Sequence, residues 1–302
     1  MSVAPISVSV VTVTYNSGAF IGEFLASLYS CNLEAVALQV IVVDNGSTDD
    51  TTALVEAQSA DIELIRNPEN NYAGALNLGI AHAAGDFVVV VNNDGTVEAM
   101  WLQGMLDVMR DNVRAGAVQS KIVFAETGLL NSVGVEEVEH FYYRDIAFEA
   151  ADSAQYRRPA KREFVTGGSV MFRRECLEQV GGWDEDFILY LEDVDYSIRC
   201  RQAGWELQFA PDSIFKHRYH GVASEALCDY FCARNRFFLV AKHFPGELAS
   251  CIGTSHFFSG GQYDLLYRSL LHALVKLCLL QDQETSCRVL RDVGEVLEVQ
   301  FG

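Results

Sequence analysis

Three acidic side chains, Glu192, Asp193 and Asp195, lie within four residues at the start of a segment that is predicted to be helical. Like charges this close repel each other, so the chain must either offset the charge or use it. A carboxylate at a helix N-terminus faces free backbone N–H groups, which fix its orientation and favour its charged form. Such a carboxylate can take a proton from a hydroxyl, so the cluster is a candidate site of general base catalysis.

The spacing predicts different partners for these acids. Asp195 lies two residues after Asp193, so the two side chains cannot share a helix face. Arg199 follows Asp195 at the i+4 spacing that favours an ion pair. For Glu192 we expect either a role in capping the helix N-terminus or a salt bridge.

A second group of polar residues follows three predicted strands. These residues are Thr14-Tyr15-Asn16 after the first strand, Asp44-Asn45 after the second, and Asn92-Asn93-Asp94 after the fourth. One such strand end is ordinary turn chemistry. Three successive ends of this kind outline a polar cleft.

The elements that must position these groups alternate between strands and helices. Strands are predicted at residues 6–14, 39–44, 62–66 and 87–91, with helices at 19–30, after 47–49 and at 73–83. Continuous apolar strands between helices predict a mostly parallel sheet covered on both faces, in which ligands bind beyond the carboxyl ends of the strands. Further strands are predicted at 115–124, 164–172 and 205–210. Residues 128–161 are a mixed stretch that is predicted to form a loop or an excursion over the cleft.

Composition limits the function. The chain has 302 residues, of which 50% are hydrophobic, and a net charge of −19. It is long enough for one large domain, and its acidity argues against nucleic-acid binding. The eight cysteines form no CxxC pair, which favours a reducing, cytoplasmic location. The N-terminus lacks the basic region of a signal peptide, and we expect no membrane-spanning helix.

From residue 223 onward the pattern is helical. Arg268, His272 and Lys276 recur every fourth residue on an otherwise apolar helix at residues 263–280. Such a helix packs on its own domain or on a second copy of the chain. The alternative is peripheral contact with an anionic membrane surface at the inner face of the plasma membrane.

In six ordered segments the chain resembles a family 2 glycosyltransferase with the GT-A fold, of the bacterial rhamnosyltransferase-like branch. The segments run from about residue 6 to 221 and read "VTVTYNSG", "VIVVDNGSTDDT", "NPENNYAGALNLGI", "GDFVVVVNND", "FVTGGSVMFRRECLEQVGGWDEDFILYLEDVDYSIRCRQAGW" and "KHRYHG". The resemblance implies a GT-A domain over residues 1–222, with a nucleotide-sugar half at about 1–100 and an acceptor half at about 101–222. Residues 223–302 are expected to form a helical extension.

The resemblance also implies roles for individual residues. Asp193 matches the catalytic base. The residues expected to bind the donor are Thr14, Tyr15, Asn16, Asp44, Asn45, Asn71, Asn77, Asn93 and Arg234. The residues expected to contact the acceptor are Gly168, Trp183 and Asp184, although a place in the core is the alternative for Trp183.

A divalent metal, Mg²⁺ or Mn²⁺, is implied at Asp94. The motif at residues 92–94 departs from the usual aspartate-rich form, because only Asp94 is charged. One carboxylate binds a cation weakly, so the metal is expected to arrive with the donor. His217 matches a histidine that completes the site in similar enzymes, and His220 is the fallback. An imidazole ligand makes Mn²⁺ as plausible as Mg²⁺.

The implied function is inverting transfer of a sugar from a nucleotide diphosphate donor, dTDP-L-rhamnose or a UDP-sugar, to a hydroxyl. The expected acceptor is a glycan or a lipid-linked sugar in cell-surface polysaccharide synthesis. A nicotinamide dehydrogenase would carry GxGxxG in its first turn, where this chain has "TYNSG". The thinned acidic motif leaves open a non-catalytic GT-A module that binds a nucleotide sugar or a partner.

Overall fold

The structure is a computed structural model that describes residues 5–32, 35–59, 61–218, 225–255 and 263–301. The strands are β1 (Ile6–Thr14), β2 (Val36–Asp44), β3 (Ile62–Arg66), β4 (Phe87–Val91), β5 (Gly95–Val97), β6 (Ala115–Phe124), β7 (Leu130–Ser132), β8 (Val135–Glu137), β9 (Tyr143–Asp145), β10 (Ala160–Arg162), β11 (Ser169–Arg173) and β12 (Glu206–His217). The helices are α1 (Ile21–Tyr29), α2 (Thr51–Gln58), α3 (Tyr72–His82), α4 (Trp101–Asp111), α5 (Arg174–Val180), α6 (Glu192–Gln202), α7 (Glu225–His243), α8 (Leu248–Gly253), α9 (Tyr263–Leu280) and α10 (Gln283–Phe301).

The chain divides into two compact units. The first comprises the described residues within 1–136, 145–188 and 192–220, and the second those within 137–144, 189–191 and 221–302.

A mixed sheet forms the centre of the first unit. Its strand order is β10-β12-β6-β11-β4-β1-β2-β3, with β5 paired to β12 and β7 paired to β6. The prediction of parallel strands is confirmed for β1, β2, β3 and β4. Beyond β4 the sheet is mixed, since β11 runs antiparallel to both β4 and β6, whereas β12 is parallel to β6.

Helices cover both faces of this sheet. On one face Val10 and Val42 pack in a cluster that contains Phe24 of α1. On the other face Val11 and Val43 pack in a cluster that contains α3 residues. Alternate valines therefore enter opposite cores, which explains why β1 and β2 are continuously apolar.

Three predicted regions differ from the structure. Residues 128–161 are not a plain loop, because they contain the short strands β7, β8, β9 and β10. The strand predicted at 164–172 begins at Ser169. The strand predicted at 205–210 continues to His217 through an irregularity between Ala210 and Ile214.

In the second unit, α7 packs with α8, α9 and α10 around a core that includes Phe237, Leu277 and Val293. The Lys276 ammonium lies 4.6 Å from the centre of the Phe238 ring, so this basic residue of α9 packs on α7. Leu271 of α9 is 52% exposed. None of the helices within the described residues is long and apolar enough to cross a bilayer.

Candidate active site

A strand pair brings Asp94 and His217 together. In the antiparallel pairing of β5 with β12, Gly95 lies opposite His217. The Arg218 N–H donates a hydrogen bond of 2.8 Å to the Asp94 carbonyl oxygen, which extends the pairing by one residue. A Cβ atom at Gly95 would lie 2.2 Å from the Lys216 carbonyl oxygen, so only glycine permits this approach. His217 Nε2 consequently lies 3.0 Å from Asp94 Oδ1.

The Asp94–His217 pair has the chemistry of an open metal site. Asp94 Oδ1 is buried and accepts no hydrogen bond from any residue that the structure describes, so its 3.0 Å contact with His217 lacks hydrogen-bond geometry. A carboxylate and an imidazole are suitable ligands for Mn²⁺ and Mg²⁺. Within the described residues, no group of three or more His, Cys, Asp or Glu side chains could hold an ion. The pair could therefore supply two of the ligands of a metal ion; His220, the fallback ligand, lies outside the described residues.

The Asp193 carboxylate is held by backbone N–H groups at the start of α6. Its Oδ2 accepts a hydrogen bond of 3.0 Å from Gly167 N, and its Oδ1 one of 2.8 Å from Val194 N. Burial raises the pKa of Asp193, while these N–H groups lower it. The sequence anticipated the favourable N–H groups but not the burial, and the net pKa shift is upward.

Within the part of the chain that the structure describes, Glu192 forms no salt bridge, which corrects one of its two expected roles; a hydrogen bond from its own backbone N–H lowers its pKa. Its side chain is buried, and its Oε2 has no hydrogen-bond partner among the described residues. Burial first, and then the negative charges of Asp193 and Asp195, raise the pKa of Glu192 to about 8. The raised pKa favours the protonated form of Glu192 beside Asp193. The predicted ion pair is confirmed, with Arg199 Nε 2.8 Å from Asp195 Oδ2.

Two residues missed by sequence reasoning connect the Asp94 region with the Asp193 region. The Tyr72 hydroxyl, at the start of α3, donates a 3.2 Å hydrogen bond to Asn92 Oδ1. Burial raises the pKa of Tyr72, and the negative charges of Glu192, Asp193 and Asp94 raise it further. All three acids therefore lie close to one phenol group.

Asp145 is the second connecting residue. The pKa of Asp145 is raised to about 6, mainly by burial. The charge of Asp193 also raises this pKa, whereas a hydrogen bond from Ser132 and the charge of His217 lower it. The charges of Asp193 and His217 thus both affect the pKa of Asp145. The signal available in the sequence was the acid that ends the run "HFYYRD", shortly after its aromatic residues and within the mixed segment 128–161.

The ends of β1 and β2 meet as the sequence predicts. Thr14 lies opposite Asp44 in the parallel register. Asp44 is 3% exposed and accepts a hydrogen bond of 3.1 Å from Ser47 N. Asn45 Oδ1 accepts one of 2.9 Å from Asn67 Nδ2, which fixes the orientation of its amide.

The neighbouring polar side chains are also organised at this edge of the sheet. Asn16 Oδ1 accepts a hydrogen bond of 2.8 Å from Thr48 N, whereas Tyr15 is exposed. Asn93 Nδ2 donates to the Val13 carbonyl oxygen over 2.6 Å. Asn71 caps α3 by accepting a 3.0 Å bond from Gly74 N.

The residues expected near an acceptor differ in their positions. The Gly168 carbonyl oxygen accepts a hydrogen bond of 3.0 Å from Asn92 N, which places Gly168 beside the Asn92-Asn93-Asp94 segment. Asp184 caps a single helical turn by accepting from Asp186 N over 3.2 Å.

Trp183 is a core residue, which corrects its expected contact with an acceptor. The indole is 5% exposed and stacks on Tyr196 with ring centres 4.0 Å apart, so no face is left for a sugar. Asn77 supports this turn, because its amide donates to the Trp183 carbonyl oxygen and to Glu185 while accepting from Trp183 N. This geometry favours a structural role for Asn77 over contact with a donor.

Arg234 belongs to the second unit, on α7. It is 8% exposed, and its Nη1 donates a 2.7 Å hydrogen bond to Asn235 Oδ1. Its contact with a diphosphate stays a prediction.

Comparison with known proteins decides the family. The sequence profile of glycosyl transferase family 2 matches residues 9–181, more than half of the chain. The chain belongs to glycosyl transferase family 2. The matched segment contains the strand ends with Asp44 and Asp94, and it stops before Asp193 and His217.

Relatives of this family 2 glycosyltransferase include a rhamnosyltransferase. The N-acetylglucosaminyl-diphospho-decaprenol L-rhamnosyltransferase of Mycobacterium tuberculosis is 29% identical over 244 residues, which cover 72% of this chain and 78% of that protein.

Solved structures support the GT-A fold. A mannosyltransferase of Pyrobaculum calidifontis in complex with GDP-Man and Mn²⁺ has a TM-score of 0.58 at 19% identity, covering 96% of this chain and 80% of that chain. The S. aureus TarS fragment in complex with UDP-GlcNAc has a TM-score of 0.56 at 16% identity, covering 97% and 81%. The glycosyltransferase therefore has the fold that its sequence implies.

Proposed function

We propose that this glycosyltransferase moves a sugar from a nucleoside diphosphate donor to an acceptor hydroxyl by single displacement with inversion. One observation carries the proposal: Asn92, two residues before Asp94, donates a 3.0 Å hydrogen bond to the Gly168 carbonyl oxygen, and the adjacent Gly167 N–H donates one of 3.0 Å to Asp193 Oδ2. A sugar between these two acids would have its leaving group on the Asp94 side and its acceptor on the Asp193 side. Asp145, which senses Asp193 and His217, supports the same arrangement.

Asp193 is the proposed catalytic base. The acceptor oxygen attacks the anomeric carbon, the bond from that carbon to the diphosphate oxygen breaks, and the hydroxyl proton passes to Asp193. The N–H groups of Gly167 and Val194 hold both carboxylate oxygens in place, so the base does not need to be oriented during the reaction. Its raised pKa makes Asp193 a stronger base than an exposed aspartate.

Asp94 and His217 are the proposed protein ligands of a divalent cation. Such an ion, Mn²⁺ or Mg²⁺, would neutralise the negative charge that develops on the departing diphosphate. The unsatisfied Asp94 Oδ1 beside His217 Nε2 supports this assignment. The Mn²⁺ in the similar mannosyltransferase structure also supports it.

The polar strand ends and the similarity to a rhamnosyltransferase narrow the chemical class of the donor and of the acceptor. Asp44, Asn45, Thr14 and Asn16 form the polar edge where a nucleoside would bind, because ligands of such sheets lie beyond the strand ends. The name of the rhamnosyltransferase relative supports L-rhamnose as the transferred sugar and a lipid-diphosphate-linked sugar as acceptor, and dTDP-L-rhamnose is the proposed donor. We further propose that residues 1–222 form the catalytic domain and residues 223–302 a helical extension.

A thermal-shift panel tests this proposal. Purified full-length protein is heated with dTDP-L-rhamnose, UDP-GlcNAc or GDP-mannose, each with and without Mn²⁺. We expect one donor to raise the melting temperature only when Mn²⁺ is present, and that donor to be consumed when a lipid-linked sugar is added. Donor binding without any transfer or hydrolysis would instead indicate a non-catalytic nucleotide-sugar module.

A further inference from the structure

A β-bulge places one buried amide next to the proposed metal ligands. In the pairing of β6 with β7, Ile122 lies opposite Ser132 and Val123 lies opposite Leu130. Asn131 is therefore the extra residue on β7. Bulges redirect a side chain that a regular strand would point elsewhere, and they are common beside active sites.

The partner of the Asn131 amide is His217. Asn131 is only 4% exposed, and a buried amide is costly unless it is hydrogen-bonded. Its Oδ1 lies 2.8 Å from His217 Nδ1. A carbonyl oxygen can only accept a hydrogen bond, so Nδ1 must carry the proton.

This hydrogen bond determines what the other ring nitrogen can do. In a neutral imidazole with its proton on Nδ1, Nε2 carries the lone pair. Nε2 is the nitrogen that lies 3.0 Å from Asp94 Oδ1. The opposite tautomer would present an N–H at this point, and an N–H cannot bind a cation.

We propose that Asn131 is a positioning residue that holds His217 in the Nδ1–H tautomer and so presents Nε2 to the cation shared with Asp94. This inference rests on the proposed function of His217 as a metal ligand. Outer-shell hydrogen bonds of this kind fix the tautomer and ring orientation of metal-binding histidines. The bulge supplies the acceptor from a strand that carries no proposed ligand of its own.

Two substitutions separate positioning from packing. Asn131→Leu keeps the number and branching of the side-chain non-hydrogen atoms but removes the acceptor. Asn131→Asp keeps an oxygen that can accept from Nδ1 and should therefore rescue the tautomer. Asn112→Leu is the matched control, because the Asn112 amide bonds to Glu206 elsewhere in the first unit. Circular dichroism and melting temperatures identify any variant that fails to fold.

The first measurement needs no metal. Long-range ¹H–¹⁵N spectra of histidine-labelled, metal-free full chain, recorded at a pH high enough for a neutral imidazole, distinguish the two tautomers, and His217→Gln assigns the signal. We expect the Nδ1–H form in the wild type, in Asn131→Asp and in Asn112→Leu, and its loss in Asn131→Leu. A wild-type Nε2–H tautomer, or an unchanged tautomer in folded Asn131→Leu, would overturn the inference.

The second measurement is the affinity for Mn²⁺ in the presence of UDP or dTDP. Electron paramagnetic resonance monitors the binding. We expect Asn131→Leu to bind Mn²⁺ about 10- to 100-fold more weakly, the usual effect of losing an outer-shell partner. Asn131→Asp and Asn112→Leu should bind like the wild type. Equal binding by Asn131→Leu would refute the inference and leave the proposed function standing. Failure of the wild type to bind Mn²⁺ would count against the metal site itself. The tautomer spectra would still show whether Asn131 determines the tautomer of His217.

Discussion

The backbone N–H of Gly167 donates a hydrogen bond of 3.0 Å to Asp193 Oδ2. Gly167 lies just before β11, and Asp193 lies in the first turn of α6, so this bond joins a central strand of the sheet to the proposed base. A Cβ atom at Gly167 would lie 3.8 Å from Asp193 Cβ, which shows how closely the two segments approach. The carboxylate is thereby oriented by backbone atoms rather than by mobile side chains.

Substitution of the base should remove transfer without removing donor binding. Asp193→Asn keeps the shape of the side chain but cannot accept a proton, so we expect the rate of transfer to fall by about 10²- to 10⁴-fold. The donor-induced thermal shift should stay unchanged. Asp212→Asn, an exposed aspartate on β12, is the control and should transfer at the wild-type rate. Near-normal transfer by Asp193→Asn would exclude this aspartate as the base.

The neutral state of Glu192 predicts a pH-dependent stability. Its pKa is about 8 in the folded chain and near 4.5 when unperturbed, so the folded state holds the proton more tightly. This contribution to stability is complete below about pH 4.5 and is lost as the pH rises through about 8. Glu192→Gln resembles the protonated acid and should lose less stability than the wild type between pH 6 and pH 9.

Urea unfolding at the two pH values measures the free energy of unfolding for this comparison. Glu56→Gln is the control, because Glu56 is an exposed partner of Arg66 and should leave the pH dependence as in the wild type. If Glu192→Gln and the wild type lose the same stability, Glu192 is ionised at neutral pH and the assignment is wrong.

Removal of the metal should stop transfer reversibly. Chelation with EDTA should abolish activity, and added Mn²⁺ should restore it. Asp94→Asn and His217→Gln should each raise the Mn²⁺ concentration needed for half-maximal activity by at least about tenfold. His82→Gln, which removes an exposed imidazole beside Glu63, is the matched control. Full activity in EDTA would show that Asp94 and His217 serve another purpose.

The regular part of the fold could be predicted because burial leaves a clear mark on the sequence. The valine-rich β1, β2 and β4 are buried on both faces. Because these strands are parallel, the polar residues at their carboxyl ends lie along the same edge of the sheet. The end of β12 was missed because Pro211 normally ends a central strand. The structure tolerates Pro211 at an irregularity between Ala210 and Ile214, so the strand continues to His217.

The site was less predictable where it depends on distant contacts. Asp195 and Arg199 are neighbours on one helix, so their ion pair follows from spacing alone. Tyr72 occupies an ordinary position at a helix start, and nothing local in its sequence indicates that Asp94 and Asp193 lie nearby. The partner of Asn131 is 86 residues away in the chain, and a bulge brings the two together. The burial of Glu192, which decides its charge, is likewise a property of the packed structure.

The segment before α6 has an unfavourable backbone conformation, and the Asn235 amide is one of the groups bonded to it. Ile188, Tyr190 and Leu191 have φ values of 65°, 69° and 62°, which non-glycine residues rarely adopt. In the second unit, Asn235 Nδ2 donates to the carbonyl oxygens of Leu189 and Tyr190 over 2.8 and 2.7 Å. Such strain persists only where surrounding contacts enforce it.

Loss of that amide should therefore damage both stability and catalysis. Asn235→Ala leaves two carbonyl groups without their donor and should lower the free energy of unfolding by about 1–3 kcal/mol. Leu191 is followed directly by Glu192 and Asp193, so relaxation of the strained segment should displace the proposed base. We expect kcat to fall, whereas Asp229→Ala, at an exposed position on α7, should leave kcat unchanged. Unaltered kcat in a destabilised Asn235→Ala would mean that α6 holds Asp193 in place without help from this segment.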